Sequence, residues 1–121
     1  MAIKKVLVVE DSATDRQALS EVLKKNGFEV YTAESGEEAV AKAGQLKPDL
    51  ILMDVVMPGT NGFQATRIIS RNDDTRHIPV IIVSSKGQET DKIWGLRQGA
   101  RDYIVKPVQE ADLLQKISAL G

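Results

Sequence analysis

The sequence of 121 residues contains no cysteine. This absence excludes disulfide cross-links and metal or cofactor sites built on thiolates, and it fits a reducing cytosol. An excess of charge is also absent, since 16 Lys and Arg residues oppose 17 Asp and Glu residues. The sequence has no basic stripe of the kind that follows the phosphates of nucleic acids, so direct binding of DNA or RNA is not expected.

Long apolar runs are missing too. The first run, Val6 to Val9, is too short for the core of a signal peptide. No stretch approaches the roughly 18 apolar residues of a membrane-spanning helix. No linker, repeat or low-complexity segment interrupts the chain. We therefore expect a cytoplasmic protein with no membrane contact, folded as one domain over residues 1–121 without an output domain.

Short apolar runs predict the strands of a sheet. Val6–Val9, Leu50–Met53 and Val80–Val83 show no alternation with polar residues, which is typical of parallel strands covered on both faces. Two weaker runs, Phe28–Thr32 and Asp102–Val105, predict strands nearer the edges of the sheet. The sequence thus predicts five strands.

Helical patterns separate these runs. The first helix has an apolar face and ends at Gly27, and Ser35 with Glu38 has the spacing of a capping box before the second helix. Further helices are predicted over residues 62–71, 88–98 and 109–120. The alternation indicates an α/β fold, a three-layer αβα sandwich of (βα)5 type with a five-stranded parallel sheet.

Polar residues follow the ends of the predicted strands, where open parallel sheets bind their ligands. Glu10 and Asp11 follow the first strand, Asp54 the third, Ser84 the fourth and Lys106 the fifth. Carboxylates on neighbouring strands would repel each other in a low-dielectric site unless a cation were present. A small set of oxygen ligands favours Mg²⁺ over Zn²⁺ or Ca²⁺, and the backbone carbonyl of Val56 is a further candidate ligand.

Simpler interpretations of these residues remain open. Asp11 or Ser12 has the residue type of a helix N-cap, although this role does not explain Glu10. Lys106 is alternatively an ordinary surface lysine, but its place between an apolar strand and Pro107 favours a side chain that is directed inward.

Asp54 is the candidate nucleophile, since it ends a strand and opens a loop. Carboxylates form acyl phosphates, and phosphoryl transfer needs mainly alignment and neutralisation of charge. Mg²⁺ together with the Lys106 ammonium would supply that neutralisation, and Ser84 would bond an oxygen of the new phosphoryl group. The site therefore predicts phosphoryl-acceptor chemistry.

Five sequence elements in one order resemble the response-regulator receivers of bacterial two-component signalling. They are Glu10-Asp11-Ser12, Leu52-Met-Asp54, Met57-Pro58-Gly59 with Gly62, Val83-Ser84-Ser85, and Gly99 to Pro107. The resemblance implies a flavodoxin-like fold with strand order 2-1-3-4-5 and a cis peptide bond before Pro107. It also implies the following roles: metal binding for Glu10 and Asp11, phosphoryl acceptance for Asp54, a switch hydroxyl for Ser84, a phosphate contact for Lys106, and a rotating switch aromatic for Tyr103.

The resemblance further implies partners. A histidine kinase would donate the phosphoryl group, and a target protein would dock on the fourth helix, fifth strand and fifth helix of a monomer or weak phosphorylation-dependent dimer. The protein would be a switch that assists only its own phosphotransfer and autodephosphorylation. Residues 57–67 and 88–99 are similar to small regulators of type IV pilus twitching motility. A phosphate sink and a degenerate binding module remain alternatives, and Val56 leaves the lifetime of the phosphorylated form open.

Two other protein classes share part of this pattern: one has a ligand-binding loop after the first strand, and the other has a nucleophilic Asp at the end of a strand. A flavodoxin-like cofactor carrier needs hydroxyl and N–H groups after its first strand, where Glu10 and Asp11 would repel a phosphate. A phosphatase of the haloacid-dehalogenase type normally has a second Asp two residues after the nucleophile, where this chain has Val56.

Two further residues are less informative: Trp94 is interpreted as half-buried core rather than docking surface, and His77 as solvated.

Overall fold

The computed structural model describes residues 3–57 and 59–120, so Pro58 of the motif above lies outside the described residues. Within them, strands and helices alternate along the chain. Their bounds are β1 Lys5–Val9, α1 Ala13–Lys25, β2 Glu29–Ala33, α2 Gly36–Leu46, β3 Leu50–Met53, α3 Gly62–Arg71, β4 Val80–Ser84, α4 Glu89–Arg97, β5 Asp102–Val105 and α5 Glu110–Leu120.

The five strands form one parallel sheet in the order β2-β1-β3-β4-β5. This confirms the predicted fold class and strand order, with the two weaker strand candidates at the edges. The bounds of β3 and β5 agree with the prediction, whereas β2 begins one residue later than expected. Phe28 precedes β2 because its N–H bonds back to the carbonyl of Leu23 at the end of α1.

The sheet separates two apolar clusters because successive side chains of a strand point to opposite faces. On one face, Leu7 and Ile51 belong to a cluster that includes residues of α2 and α3. On the other, Val8 and Leu52 belong to a cluster that includes residues of α1 and α5. Both faces of the sheet are covered, so a binding site is expected at the ends of the strands. Among the described residues, no helix has the length and apolar character needed to cross a membrane.

Side-chain caps fix where several helices begin. Ser35 accepts a hydrogen bond from the N–H of Glu38, as predicted. The return bond differs, because the Glu38 carboxylate accepts from the N–H of Glu34 instead of Ser35. A reciprocal capping box occurs instead at α3, between Asn61 and Gln64. Ser12 caps α1, which is one of the simpler roles considered above.

Helix α4 packs on the sheet through a glycine. Gly95 is its buried residue, and a Cβ there would lie 2.7 Å from Cδ1 of Ile82 and 3.2 Å from Cδ2 of Tyr103. Because the glycine takes the core-facing position, the large apolar residues of α4 face outward, and Trp94 is 49% exposed. Trp94 is thus about half-buried, as predicted, but it belongs to none of the apolar clusters of the described residues, so its predicted place in the core is wrong. His77 lies exposed in a turn, as predicted.

Candidate functional site

The ends of β1 and β3 place two carboxylates side by side. Val9 of β1 is paired with Met53 of β3, so the next residues, Glu10 and Asp54, leave the sheet together. Backbone hydrogen bonds continue this alignment, since the N–H of Asp54 donates to the carbonyl of Val9 and the N–H of Glu10 donates to that of Ala33, each at 3.0 Å. The parallel register therefore positions both acids before any side-chain interaction is made.

Glu10, Asp11 and Asp54 form a cluster in which each residue offers a carboxylate oxygen and these oxygens lie within 4.8 Å of one another. Glu10 is only 1% exposed and Asp54 6%, whereas Asp11 is exposed to solvent. Two of the three carboxylates are thus largely removed from water. Their charges need a compensating cation, since a buried and unpaired charge costs several kcal/mol or more.

Lys106 brings an ammonium into this cluster. Its Nζ donates to Oε1 of Glu10 at 3.1 Å and to Oδ2 of Asp15 at 2.9 Å, and it lies 3.7 Å from Oδ1 of Asp54. The peptide bond to Pro107 is cis, as the resemblance implied. Lys106 therefore contacts three carboxylates but is farthest from that of Asp54.

Asp15 is a site residue that the sequence analysis did not identify. It lies in the first turn of α1, where an acidic residue is ordinarily explained by the helix dipole. Arg16 was missed as well, and its Nη1 donates to the carbonyl oxygen of Glu10 at 3.0 Å. No local pattern indicates either contact, because the first depends on how α1 packs beside the end of β5 and the second on how α1 sits against the end of β1.

The pKa values of the site residues reflect this crowding. Burial raises the pKa of Glu10 to about 7, against the opposing effect of its hydrogen bond to Lys106. Burial also raises the pKa of Asp54, while the nearby Lys106 charge opposes the rise. For Lys106, burial lowers the pKa, but the bonds to Asp15 and Glu10 outweigh burial and leave the pKa raised. The ammonium is retained, and the acids hold their protons more tightly than usual.

The cluster fits a hard divalent cation such as Mg²⁺. Oε2 of Glu10 is buried and accepts no hydrogen bond from the described residues, although it lies 3.0 Å from Nζ of Lys106 as an ion pair. A single ammonium cannot neutralise all the carboxylates that surround it. The donor atoms are oxygens, which Mg²⁺ prefers. Glu10, Asp11 and Asp54 would hold the ion, while a contribution from the carbonyl of Val56 stays a prediction.

The loop after β3 fixes the orientation of Asp54. The N–H of Val55 donates to Oδ1 of Asp54 at 2.9 Å. Gly62 begins α3 so close to this residue that a Cβ there would lie 2.0 Å from the Asp54 carbonyl oxygen. On the outer side, Glu37 of α2 accepts from the N–H of Thr60 at 3.3 Å. Asp54 is consequently held at its backbone and at one carboxylate oxygen.

Ser84 and Tyr103 meet at the backbone of Lys86. Ser84 is fully buried at the end of β4, and its Oγ accepts from the N–H of Lys86 at 3.1 Å. The Tyr103 hydroxyl donates to the carbonyl oxygen of the same residue. The ring is 8% exposed, and burial raises the pKa of its hydroxyl. The two predicted switch residues are thus connected through one peptide segment.

The site and the fold are those of a known protein family. Residues 6–118 match the family described as the response regulator receiver domain. The chain is a member of that family. A receiver domain is a signalling switch, and Glu10, Asp11, Asp54, Ser84 and Lys106, which carried part of the resemblance, lie at the carboxyl ends of the strands.

Similar proteins agree with this assignment. The receiver domain is 55% identical over 116 residues to Protein PilH of Pseudomonas aeruginosa, covering 96% of each chain. It superposes on the chemotaxis protein CheY4 of Vibrio cholerae with a TM-score of 0.91 at 33% identity, covering 99% of this chain and all of the other. A receiver domain of a Pseudomonas aeruginosa sensor histidine kinase, with magnesium coordinated in its active site cleft, gives a TM-score of 0.89 at 30% identity, covering 98% and 97%.

Proposed function

We propose that the protein is a response regulator whose Asp54 accepts a phosphoryl group from a histidine kinase in a Mg²⁺-dependent reaction. The observation that carries the proposal is the cluster of Glu10, Asp11 and Asp54, with the ammonium of Lys106 beside Glu10 and Asp54. An ordinary surface aspartate needs neither neighbouring carboxylates nor a lysine ammonium beside it. The arrangement suits a reaction in which negative charge accumulates beside Asp54.

The reaction forms an acyl phosphate. A carboxylate oxygen of Asp54 attacks phosphorus, the bond from phosphorus to the donor histidine nitrogen breaks, and the nitrogen keeps the electron pair. Bound Mg²⁺ supplies neutralisation of the phosphoryl oxygens. The N–H of Val55 holds Oδ1 of Asp54 and so limits rotation of the nucleophile. The Lys106 ammonium is close enough to contact a phosphoryl oxygen after a small movement.

A groove beside the site offers space for a phosphodonor protein. It has a volume of about 650 Å³ and is lined by Leu19 and Val22 of α1 and by Val108, with Lys106 and Asp15 at its site end. An apolar groove that reaches Lys106 and Asp15 suits a partner that must present a phosphohistidine to the neighbouring Asp54. We include docking of the kinase at this groove in the proposal.

The signal would leave the protein through Ser84 and Tyr103. Phosphorylation would draw the Ser84 hydroxyl toward the new phosphoryl group, and this would disturb the Lys86 segment that Tyr103 also contacts. Rotation of Tyr103 would then alter the surface of α4, β5 and α5 on which a target protein docks. We expect a monomer or weak phosphorylation-dependent dimer that acts through docking of a target protein. The 55% identity to PilH supports a role in twitching motility.

Intact-mass measurement tests the phosphoryl acceptor directly. The purified protein is incubated with Mg²⁺ and a small acyl-phosphate donor, alongside Asp54→Asn and a chelator-treated sample. We expect one phosphate adduct on the wild type and none in either of these two samples. Asp74→Asn is the matched control, since Asp74 is exposed in the turn before β4, and it should be labelled like the wild type. Absence of an adduct under conditions that label another receiver would favour a binding module that is not phosphorylated.

A binding measurement tests the switch. Once a target protein is available, its affinity is compared for unphosphorylated and phosphorylated protein, in wild type and in Tyr103→Ala. We expect phosphorylation to change the affinity of the wild type and to have little effect on the variant. An equal response in both would show that Tyr103 does not couple the site to the docking surface.

A further inference from the structure

Asp15 competes with Asp54 for the ammonium of Lys106. The distance from Nζ to Oδ2 of Asp15 is 2.9 Å, whereas the distance to Oδ1 of Asp54 is 3.7 Å. The first is a charge-assisted hydrogen bond and the second is an ion pair without hydrogen-bond geometry. In this structure the lysine is therefore held toward α1 and away from the residue on which the phosphoryl group would form.

The position of Asp15 separates it from the proposed metal ligands. In the described part of the chain, the cluster with metal-ligand spacing consists of Glu10, Asp11 and Asp54, and Asp15 is outside it. Its side chain is 47% exposed, while that of Lys106 is 20% exposed. Its observed contact is with the ammonium, so its effect on the site is expected to pass through the position of Lys106.

A phosphoryl group on Asp54 would change this balance. The ammonium would have to contact a phosphoryl oxygen on the Asp54 side while Asp15 retains a hydrogen bond on the other. Among the described residues, the Asp15 carboxylate accepts its side-chain hydrogen bond from Lys106, and the need to keep this bond makes the movement less favourable. The cost is moderate, because interactions between partly exposed charges are weakened by solvent.

We propose that Asp15 is a positioning residue that withholds Lys106 from the phosphoryl group and thereby weakens the phosphorylated state relative to the unphosphorylated one. The inference rests on the proposed function, since it assumes that Asp54 is the acceptor. It assigns a role to a residue that belongs to none of the sequence elements that identified the site. If so, the residue at position 15 affects the fraction of the protein that is phosphorylated at a given concentration of phosphodonor.

The experiment measures an equilibrium, because Lys106 can affect both formation and loss of the phosphate. Beryllium fluoride, which forms a phosphoryl-like adduct with an aspartate, is titrated at saturating Mg²⁺ into wild type, Asp15→Asn and the control Glu21→Gln. Glu21 is an exposed carboxylate of the same helix, and it accepts a bond only from Gln17 among the described residues. We expect Asp15→Asn to bind the mimic about two- to fivefold more tightly than wild type, as loss of one partly exposed charged contact implies. Glu21→Gln should bind like wild type.

A second pair of variants separates competition for Lys106 from a general loss of negative charge. Asp15→Asn is repeated in a Lys106→Ala background, where competition for the ammonium is impossible. We expect the gain in affinity to disappear there, and thermal unfolding of all variants to establish that they are folded. A gain of the same size in both backgrounds would overturn the inference, and so would unchanged or weaker binding by Asp15→Asn. No binding by wild type, matching Asp54→Asn, would instead overturn the proposed function, and the inference with it.

Discussion

At the scale of single residues, the site concentrates more negative charge than its one ammonium can balance. Glu10 and Asp54 are nearly buried, and Lys106 is shared among the carboxylates around it. Removing ionised carboxylates from water is unfavourable unless they are paired, so the metal-free protein holds its acids in an unfavourable state. That condition favours cation binding, and it also makes the stability of the metal-free protein depend on pH.

Glu10 gives the first prediction. Its pKa lies near its ordinary value of 4.5 in the unfolded chain and is raised to about 7 in the folded protein. The folded state therefore binds more protons between these values, and stability that is present below pH 4.5 is lost as the pH rises through 7. Asp54, whose pKa is also raised, acts in the same direction. In the presence of a chelator, the free energy of unfolding should be roughly 1–2 kcal/mol lower at pH 8 than at pH 5, after allowance for solvent screening.

Urea unfolding at the two pH values measures this difference. Glu10→Gln cannot ionise at that position, so most of the loss between pH 5 and pH 8 should be absent in this variant. The acids whose pKa values are lowered, such as Glu38 and Asp49, lose their contributions only at lower pH and do not interfere. A wild type that is equally stable at both pH values would show that the buried carboxylate does not titrate in this range.

The residues of the site differ in how far the sequence predicts them. Glu10 and Asp54 could be placed together because parallel strands end at one edge of a sheet, and this needs only the strand assignments. Asp15 could not, because its contact with Lys106 joins residues 91 positions apart through the packing of α1. A carboxylate in the first turn of a helix has an adequate local explanation, so nothing in the pattern indicates its long-range partner.

At the scale of elements, glycines set how closely helices approach the site. Gly62 lets α3 begin against the backbone of Asp54, and Gly95 lets α4 pack on Ile82 and Tyr103. In contrast, a Cβ at Gly44 of α2 would meet no atom within 4 Å. Gly62 and Gly95 are thus required by close approach and Gly44 is not, and this difference is measurable.

Gly62 and Gly44 form a matched pair for the second prediction. Gly62→Ala would place a Cβ 2.0 Å from the Asp54 carbonyl oxygen, and the backbone cannot move away without displacing the acceptor. We expect it to lower the free energy of unfolding by at least about 2 kcal/mol, as overpacking does, and to reduce phosphorylation of Asp54. Gly44→Ala should raise the free energy of unfolding by roughly 0.5–1 kcal/mol because alanine is the better helix former. Denaturant unfolding of both variants is the test, and equal effects would contradict the steric argument.

Gly95 gives the third prediction. Gly95→Ala gains about 1 kcal/mol of helix propensity but places a Cβ 2.7 Å from Cδ1 of Ile82, a buried side chain. Overpacking costs about 1–3 kcal/mol, so a net loss of about 1 kcal/mol is expected. Ile82→Val removes the clashing atom. In that background Gly95→Ala should become neutral or stabilising. A double-mutant cycle measured by urea unfolding is the test. If Gly95→Ala lowers the free energy of unfolding equally in both backgrounds, the strain does not come from Cδ1 of Ile82.

The same glycine explains why the sequence misleads about α4. Apolar residues at helical spacing normally indicate the face that packs on the core, and this reasoning favoured half-buried core over docking surface for Trp94. In the structure the tight contact is made by Gly95, and Tyr103 of β5 occupies the space that a larger helix residue would fill. The other helices have buried apolar residues in the usual pattern, and for them the sequence reasoning was adequate.

At the scale of the whole molecule, the acidic edge of the sheet carries an unfavourable interaction that the two apolar clusters must offset. These clusters lie on opposite faces of the sheet and hold its strands in register. The register in turn forces Glu10 and Asp54 together. Because the fold imposes this proximity, a cation that relieves it binds the folded state in preference to the unfolded one, and binding must appear as added stability.

Mg²⁺ should therefore raise the thermal unfolding temperature of the whole protein. At a hundredfold excess over Kd, a ligand that binds only the folded state adds about 2.7 kcal/mol, which corresponds to a rise of roughly 10 °C for a domain of this size. Asp11→Asn removes an exposed member of the cluster and should abolish most of the rise without destabilising the metal-free protein. Asp74→Asn, in the turn before β4 at the opposite edge of the sheet, should keep all of it. Calorimetry with and without Mg²⁺ distinguishes these outcomes. A rise that survives in Asp11→Asn would mean that the ion binds somewhere other than this cluster.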